Sequence, residues 1–564
     1  MSKNNANRQI ARAAGTVMLA FAFGQIVGLV RRILVAQTFG AGAELDAFIA
    51  ANRVSETLFN LVAGGALGSA FIPTFTGLLT KDKKDSAWRL ASAIGNWVAL
   101  VLSLLALLAA FFAPQIVRYA LAPGFSANPE QFDLTVTLLR IQLFSAVLFG
   151  MSGLIMGILN SHQVFLIPAL TPSMYQFGMI FGVLVLAPSM GIYGLAWGVV
   201  IGALCHLLLQ IPTLIKLNRQ GAESAKKKQD KSAPPYSDDF SRPARRAKGL
   251  KPLLRGSSAY ALTLGFGDSN VFEVLRLMGP RLLGVAVVQL NFWVNIWLAS
   301  KMRAGSVVGI EYAFALMLMA QVAIAQSIAT AAMPTFSAQY ALGKLGEVRS
   351  SLSATIRGVL LLSIPATVGL IILRVPLITM LYQRGEFGAS ATELVAWALL
   401  WFAMGLVGHS VMEILARAFY SLHDTKTPVF VGIGAMTLNI VFSIAFAKLF
   451  GKIGWMPHGG LALANSLATA LETILLMILM RKRLNGLNGK NIAQGFWQAS
   501  LSALGMGIAL LWWRENQAES SAWIIALGGL VIGGIVYLLG VWILKVREVQ
   551  DIFAFVQKKV KHKA

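Results

Sequence analysis

The sequence is poor in charged residues, in cysteine and in histidine. Only 13% of its 564 residues are charged and its mean hydropathy is +0.68, whereas soluble globular proteins carry about 25% charged residues. This composition excludes a soluble enzyme. The single cysteine, Cys205, excludes an internal disulfide and a thiolate metal cluster, and the six histidines lack i,i+4 spacing, so we expect no metal and no cofactor. No Gly-Lys pair is followed by Ser or Thr, so a phosphate-cradling nucleotide loop is absent.

Long apolar runs dominate what the sequence does contain. Crossing a bilayer core of about 30 Å takes about 20 apolar residues in a helix. Backbone groups must be paired in hydrocarbon and the period-two alternation of a β-barrel is absent, so these runs predict helices. The first run lacks a small-residue cleavage site and is expected to remain as a helix. The fold class predicted is an all-α polytopic membrane protein with about 14 spans, at 11–38, 46–78, 87–113, 131–158, 164–187, 191–215, 270–299, 307–337, 352–376, 391–420, 427–450, 458–480, 493–513 and 521–545.

Positive charge is in excess, with 48 Lys and Arg against 24 Asp and Glu. Nucleic acid, acidic lipid or membrane topology could each account for such an excess. Topology suffices here, because Lys and Arg concentrate in cytoplasmic loops, and we expect no nucleic-acid partner. The basic loops then place both termini in the cytoplasm. Residues 216–255, with 12 Lys or Arg and four acids, predict a disordered cytoplasmic linker whose basic clusters could also rest on anionic headgroups.

Three landmarks repeat at one spacing. Pro73, in Ala-Phe-Ile-Pro-Thr-Phe, recurs as Pro334, in Ala-Ala-Met-Pro-Thr-Phe, an offset of 334 − 73, or 261 residues. Gly124 with Gly385, and His162 with His423, share this offset.

The repeat predicts two parallel six-helix bundles plus two C-terminal helices, an arrangement typical of transporters that alternate access around a central path. The predicted domains are the N-terminal bundle at 1–215, the linker and lead-in at 216–269, the C-terminal bundle at 270–480, and the last two helices with a basic tail at 481–564.

Ionisable residues at membrane depth are candidates for function. Arg53, Glu56 and Asn60 share one helix face at i, i+3 and i+7. They form either the polar wall of a water-filled cavity, with Arg53 available to an anionic group, or a self-neutralising Arg53–Glu56 pair. The first span adds Gln25, Arg31 and Arg32. The two arginines lie about 100° apart, so one can bind substrate while the other extends to the membrane interface.

Other acidic residues suggest gating or coupling. Asp46 begins the second span after Phe-Gly-Ala-Gly, where a carboxylate is either stabilised by the helix dipole or acts in a gate. Glu311 has a similar place in the second half. Glu413 and Arg417, at i,i+4, are either self-neutralising or line a cavity.

Several stretches resemble the MurJ (MviN) family of lipid II flippases, within the larger superfamily of multidrug and polysaccharide exporters. They follow the family's order through the first eleven spans, and the last two are the most specific. They are Phe39-Gly40-Ala41-Gly42 with Asp46-Ala47-Phe48; Ala70-Phe71-Ile72-Pro73; Ala122-Pro123-Gly124-Phe125; Gly157-Ile158-Leu159-Asn160; Met278-Gly279-Pro280; Tyr382-Gln383 with Gly385 and Phe387; and Ala418-Phe419-Tyr420 with Asp424-Thr425-Lys426-Thr427-Pro428.

The resemblance implies a function in cell-wall synthesis. The chain would move undecaprenyl-pyrophosphate-linked peptidoglycan precursor from the inner to the outer leaflet of the bacterial cytoplasmic membrane, driven by membrane potential or an ion gradient. A cationic cavity would receive the headgroup, and the last two helices would form a groove for the lipid tail. Alternatives are an exporter of another glycolipid or a drug on the same fold, or a non-transporting scaffold that recruits cell-wall synthesis proteins through its linker and tail.

The resemblance also implies site residues. Arg31 and Arg53 match basic positions of the family and would bind pyrophosphate, with Asp46, Glu56 and Gln25 shaping the cavity and Asn60 as a further candidate substrate contact. Asp46 matches as well. The sequence departs from the family's arginines at Gln25, at Phe59-Asn60, and at Ala315 and Leu318, so the resemblance implies only part of the family's set of substrate contacts.

Overall fold

The computed structural model describes residues 3–61, 68–218, 261–546, 548 and 550. The predicted linker, beyond its first three residues, and the C-terminal lysines lie outside the described residues, as does the segment 62–67. Every regular element in the described ranges is helical. The helices are α1 Lys3–Phe39, α2 Ala43–Phe59, α3 Gly68–Thr80, α4 Lys84–Phe111, α5 Pro129–Ser161, α6 Leu166–Met190, α7 Ile192–Asn218, α8 Ser269–Ala299, α9 Ser306–Ala341, α10 Leu345–Tyr382, α11 Ala389–Ser421, α12 Lys426–Lys452, α13 His458–Arg483, α14 Gly489–Asn516 and α15 Ala522–Ile543.

The all-α polytopic fold predicted from the apolar runs is confirmed. Eleven helices among the described residues are long and apolar enough to cross a bilayer, and α8, bent by 42° between Gly279 and Gly284, brings the number to twelve. Helix α1 and the pair α2 and α3 occupy the places of the first two predicted spans. The total of fourteen spans stays a prediction, as do the four domain boundaries.

The internal repeat has a structural counterpart in the turns that end helices. Asp82 and Gly343, 261 residues apart, both adopt positive φ, at 56° and 71°. In each turn the amide of the next residue donates to the carbonyl five residues earlier, at 3.0 Å. This is the hydrogen bond of a Schellman helix cap, which satisfies a carbonyl that the helix end leaves unpaired. The two halves thus stop and restart their helices in the same way.

A second pair of turns corrects the sequence alignment by one residue. Gln163 and His423 have φ of 60° and 59°, and each has the same 3.0 Å cap bond from the following amide. The structural partner of His423 is therefore Gln163, not His162, at an offset of 423 − 163, or 260. The turn itself therefore repeats, whereas the two histidines are offset by one residue within it.

Helices α6 and α7 approach each other through glycines. Gly178 and Gly182 on α6 face Gly194, Gly198 and Gly202 on α7. A Cβ at Gly182 would lie 2.8 Å from the Gly198 Cα, and one at Gly178 would overlap Gly202. Only hydrogen fits between these backbones, which is how small residues drive close helix packing in membranes.

The chain forms two compact units. The first comprises Met1–Arg31, Ala51–Ala113 and Thr137–Ala286, and the second comprises Arg32–Ala50, Pro114–Val136 and Val287–Ala564. In the second unit, α14 and α15 pack on α10, and the Tyr537 hydroxyl donates to the Leu361 carbonyl at 2.6 Å. The guanidinium of Arg357, 8% exposed, forms a two-pronged ion pair with Glu548, with N–O distances of 2.7 and 2.9 Å.

Candidate functional site

The predicted polar face of α2 is organised around Glu56. The Arg53 guanidinium contacts one Glu56 oxygen at 2.8 Å, and the Asn52 amide donates to the other at 2.7 Å. The Arg53 side chain is 11% exposed and that of Glu56 is 39% exposed. Of the two interpretations left open by the sequence, the structure shows the Arg53–Glu56 pair. Because the carboxylate side of the pair is accessible, the pair still presents a polar surface.

Arg31 joins this cluster from α1. One Arg31 nitrogen donates to the Met179 sulfur at 3.0 Å. The Tyr175 side chain, one helical turn before Met179 on α6, lies close to Asn52 and to the charges of Arg31, Arg53 and Glu56. The first unit therefore brings together Arg31, Arg53 and Glu56, as the sequence predicted, with Asn52 also present. We call these four residues and Tyr175 the arginine cluster.

Gln25 and Asn60 occupy the edges of this region. Gln25 is exposed on α1, beside Gly24 and Gly28, whose α-carbons face Ser173 and Gln176 of α6. Asn60 is half-buried, one residue beyond the end of α2. The structure places neither side chain in the hydrogen bonds that hold the arginine cluster.

Asp46 caps a different helix from its own. It is 2% exposed, and its two carboxyl oxygens accept the backbone N–H groups of Gly305 at 2.7 Å and Val308 at 2.8 Å. These donors lie at the start of α9, where the first N–H groups have no partner within the helix. The side chain supplies what a local N-cap residue usually provides, because no side chain caps α9 at Gly305. Asp46 therefore fastens the start of α2 to the start of α9 within the second unit.

Two further hydrogen bonds from backbone amides lie in the second unit, like those of Asp46. The Glu386 amide donates to the Gln37 carbonyl at 2.9 Å, and the Gly124 amide donates to the Ser300 hydroxyl at 3.2 Å. Cβ atoms at Gly385 and Gly124 would overlap the backbones of Gln37 and Ser300. The two glycines that the repeat matched are thus both sites of close backbone approach. We call Asp46 and these contacts the end clasp.

The predicted pair in α11 is formed. Arg417 donates to Glu413 at 2.8 Å, and both side chains are about a fifth exposed, at 23% and 22%. Tyr420, on the same helix, interacts electrostatically with this pair and with Glu472 of α13. Glu311 lies half-buried on α9, next to Tyr312, whose hydroxyl donates to the Arg32 carbonyl at 3.3 Å. Of the predicted coupling residues, Glu413 and Arg417 therefore contact each other, and Glu311 lies on a different helix of the second unit.

Sequence reasoning missed Tyr175 and a buried amide cluster between α8 and α12. The Asn291 carbonyl oxygen accepts from Asn439 at 3.1 Å and from Asn295 at 3.3 Å, while Ser443 donates to Asn439 at 3.2 Å. Such bonds hold helices together across a membrane interior. The spacing Asn291/Asn295 and Asn439/Ser443, each i,i+4, was the available signal. These amide and hydroxyl groups carry no charge, so the cost of burying an ionisable group does not single them out.

Comparison with solved structures identifies the fold. The chain superposes on a lipid II flippase MurJ in an inward closed conformation with a TM-score of 0.75 and 24% identity, covering 94% of this chain and 98% of that one. An inward-facing MATE family multidrug transporter of the MOP superfamily matches with a TM-score of 0.64 and 15% identity, covering 83% and 96%. The chain has the fold of MOP superfamily transporters.

Sequence comparison identifies the protein family. The family model described as lipid II flippase MurJ matches residues 35–529. The lipid II flippase MurJ of Burkholderia cenocepacia is 28% identical over 481 residues, covering 85% of this chain and 84% of the relative. The probable lipid II flippase MurJ of Vibrio cholerae is 29% identical over 531 residues, covering 91% of each. The chain belongs to the MurJ family of lipid II flippases.

Proposed function

We propose that the chain is a flippase that moves lipid II from the inner to the outer leaflet of the cytoplasmic membrane by alternating access. Membership of the MurJ family over residues 35–529 carries the proposal. The arginine cluster supports it, because two guanidinium groups and a tyrosine hydroxyl gather in the interior of an apolar protein. Charged groups at membrane depth are costly and are retained where they meet a polar substrate.

In this proposal Arg31 and Arg53 receive the pyrophosphate. A guanidinium donates two parallel hydrogen bonds to phosphate oxygens, which are stronger acceptors than the thioether that Arg31 contacts. Arg53 must exchange part of its bond with Glu56 for the substrate, and the 39% exposure of Glu56 leaves room for the approach. Gln25 and Asn60, at the edges, contact the sugar and peptide parts of the headgroup.

The end clasp is the proposed gate. While Asp46 holds Gly305 and Val308, the starts of α2 and α9 stay together. Release of the substrate requires these bonds to open. Glu311, Glu413 and Arg417 are the proposed coupling residues, through which membrane potential or an ion gradient biases the opening.

The proposed orientation follows the basic loops, with both termini in the cytoplasm. The 216–255 linker and the basic tail are then exposed to cytoplasmic cell-wall synthesis proteins. A scaffold would require the linker for its main activity, whereas a flippase would not. Deleting residues 222–248 should therefore leave growth unaffected, and loss of growth would favour the scaffold.

The decisive experiment expresses the chain in a bacterium depleted of its own lipid II flippase. Growth and the outer-leaflet fraction of lipid II, measured with an impermeant lipid II-binding probe, are the two readouts. Arg31→Ala and Arg53→Ala should each lower transport by at least about tenfold, since a hydrogen bond to a charged group contributes roughly 1.5–3 kcal/mol. The matched control is Arg140→Ala, which removes an exposed arginine bonded to the Ala110 carbonyl.

Full transport by both variants would exclude Arg31 and Arg53 as substrate contacts. Failure of the unsubstituted chain to restore growth, despite normal expression, would favour an exporter of another glycolipid or a drug.

A further inference from the structure

An apolar groove of about 990 Å³ runs along one face of the second unit. Its walls come from α11, α13 and α14, and Ile356 and Leu360 of α10 form its floor. The volume lies near the top of the roughly 300–1,000 Å³ that ligand sites occupy. No residue of α15 lines it, so it differs from the tail groove between the last two helices that the family resemblance implies.

The hydroxyl group of Thr473, which lines the groove, is satisfied within the protein. The Thr473 hydroxyl shares its single proton between the Gly408 carbonyl at 2.9 Å and the Thr469 carbonyl at 2.8 Å. Large apolar side chains line the rest, including Ile474, Phe496 and Trp497, which are 55%, 41% and 70% exposed. The surface inside the groove therefore favours hydrocarbon.

The length of the groove along α13 matches the hydrocarbon thickness of one membrane leaflet. On α13 the lining runs from Ala470 to Arg481, which at 1.5 Å per residue is about 16 Å. Half of a hydrocarbon core of about 30 Å is about 15 Å. An acyl chain of ordinary length fits this distance, whereas a polyprenyl chain long enough to cross both leaflets would extend beyond it.

Positive charge lies at one end of the groove only. Arg481 lies in the last turn of α13 and Lys490 in the first turn of α14, and both are exposed. Arg483, in the same turn as Arg481, is already paired with Asp424 at 3.1 Å. The N-terminus of α14 adds the positive end of its helix dipole beside Lys490.

The turn between α13 and α14 is fixed by a hydrogen bond, by buried leucines and by its backbone conformation. The Arg349 guanidinium donates to the Leu484 carbonyl, and Leu484 and Leu487 are buried. Gly486 and Asn488 have φ of 127° and 51°, which fixes a tight turn. The two cationic side chains therefore stand at a defined rim rather than on a long loop.

We propose that this groove binds an anionic glycerophospholipid, with the phosphate at Arg481 and Lys490 and an acyl chain along α13. Charge at one end, hydrocarbon along the walls and the depth of one leaflet together match that molecule. The bound lipid fills the space between α11, α13 and α14 and stabilises their packing. The site does not depend on which headgroup the protein transports.

The test uses the purified full chain and native mass spectrometry with phosphatidylglycerol and phosphatidylcholine of identical acyl chains. The variant Arg481→Ala/Lys490→Ala should bind phosphatidylglycerol about 30-fold more weakly, because a basic residue near anionic headgroups contributes roughly a factor of five. The matched control Lys482→Ala/Lys448→Ala removes two exposed charges that do not line the groove and should change binding by less than about twofold. If the alanine variant does not fold, Arg481→Gln/Lys490→Gln replaces it.

A second pair of variants tests the hydrocarbon part. Ala493→Trp places an indole inside the groove and should weaken binding of both phospholipids, whereas Leu501→Trp, on the exposed face of α14 outside the groove, should not. Unchanged phosphatidylglycerol binding in the charge variant would overturn the proposal. So would displacement of phosphatidylglycerol by an equal concentration of undecaprenyl phosphate, which would assign the groove to the transported lipid.

Discussion

Substitution of Asp46 should open the end clasp. The carboxyl group of Asp46 is buried. One of its oxygens accepts the Gly305 N–H group and the other accepts the Val308 N–H group. Asp46→Ala removes both hydrogen bonds and leaves two N–H groups at the start of α9 without their cap. Asp46→Asn keeps one acceptor oxygen but turns an amide N–H₂ toward a backbone N–H, so one bond is lost.

The magnitude follows from the two bonds. A hydrogen bond to a charged group contributes about 1.5–3 kcal/mol, and water entering the opened site recovers part of this. We expect Asp46→Ala to cost about 3 kcal/mol in the closed contact and Asp46→Asn about half as much. Since 1.4 kcal/mol is a factor of ten, the open fraction should rise more than a hundredfold for Ala and roughly tenfold for Asn.

Thiol labelling can measure this opening. Ala41 lies at the clasp, where its carbonyl is adjacent to the Gly305 α-carbon. In a Cys205→Ser background, Ala41→Cys provides one thiol whose reaction with an impermeant maleimide reports exposure. Labelling should accelerate in the order wild type, Asp46→Asn, Asp46→Ala. Glu44→Ala is the matched control, because Glu44 is an exposed acid in the same helical turn. Equal labelling rates in the Asp46→Ala and Glu44→Ala proteins would refute the clasp.

Three further predictions concern stability, each read as the midpoint of thermal unfolding in detergent. Gly178→Ala forces a Cβ into Gly202 and should cost about 1–3 kcal/mol, whereas Gly434→Ala, which meets open space, should not; equal midpoints would contradict the packing argument. Burial raises the pKa of the Asp424 carboxyl, but the hydrogen bonds from Thr427 and the charge of Arg483 outweigh it and hold that pKa below its ordinary value. This stabilisation is fully present above the unfolded pKa of about 3.9 and is lost as the pH falls through the lower folded pKa. Asp424→Asn should therefore lower the unfolding midpoint by a constant amount from pH 5 to 8. A difference between the two proteins that grows on acidification would disprove this. Glu548→Gln leaves the Arg357 guanidinium buried with a weakened partner and should destabilise the protein by about 2–4 kcal/mol, while Arg357→Met/Glu548→Gln should regain most of the loss; no rescue would show that the pair does not act as a unit.

Much of the architecture was predictable because it depends on short-range properties. The length of an apolar run fixes where a helix crosses the bilayer, so predicted spans such as 391–420 and 427–450 fall within two residues of α11 and α12. The Arg53–Glu56 and Glu413–Arg417 pairs were also predictable from the sequence, since i,i+3 and i,i+4 spacing places two side chains on one helix face.

The rest depends on contacts between distant parts of the chain. For Asp46, sequence reasoning weighed the dipole of its own helix against a gate. The structure gives it the N–H groups of a helix that begins about 260 residues later. Tyr175 and the amides of Asn291 and Asn439 carry no charge, so the cost of burying an ionisable group does not single them out, and their contacts come from different helices. The alignment of His162 with His423 failed because a turn is defined by backbone conformation, which the identity of a side chain does not record.

The glycine contact between α6 and α7 limits how the protein can move. Where two backbones touch with only hydrogens between them, neither helix can slide or roll past the other without a collision of main-chain atoms. The two helices must therefore move as one rigid body. Tyr175, the residue of the arginine cluster that lies on α6, moves with them. A motion that begins in α7 is therefore transmitted to α6, so Tyr175 and α7 do not change position independently.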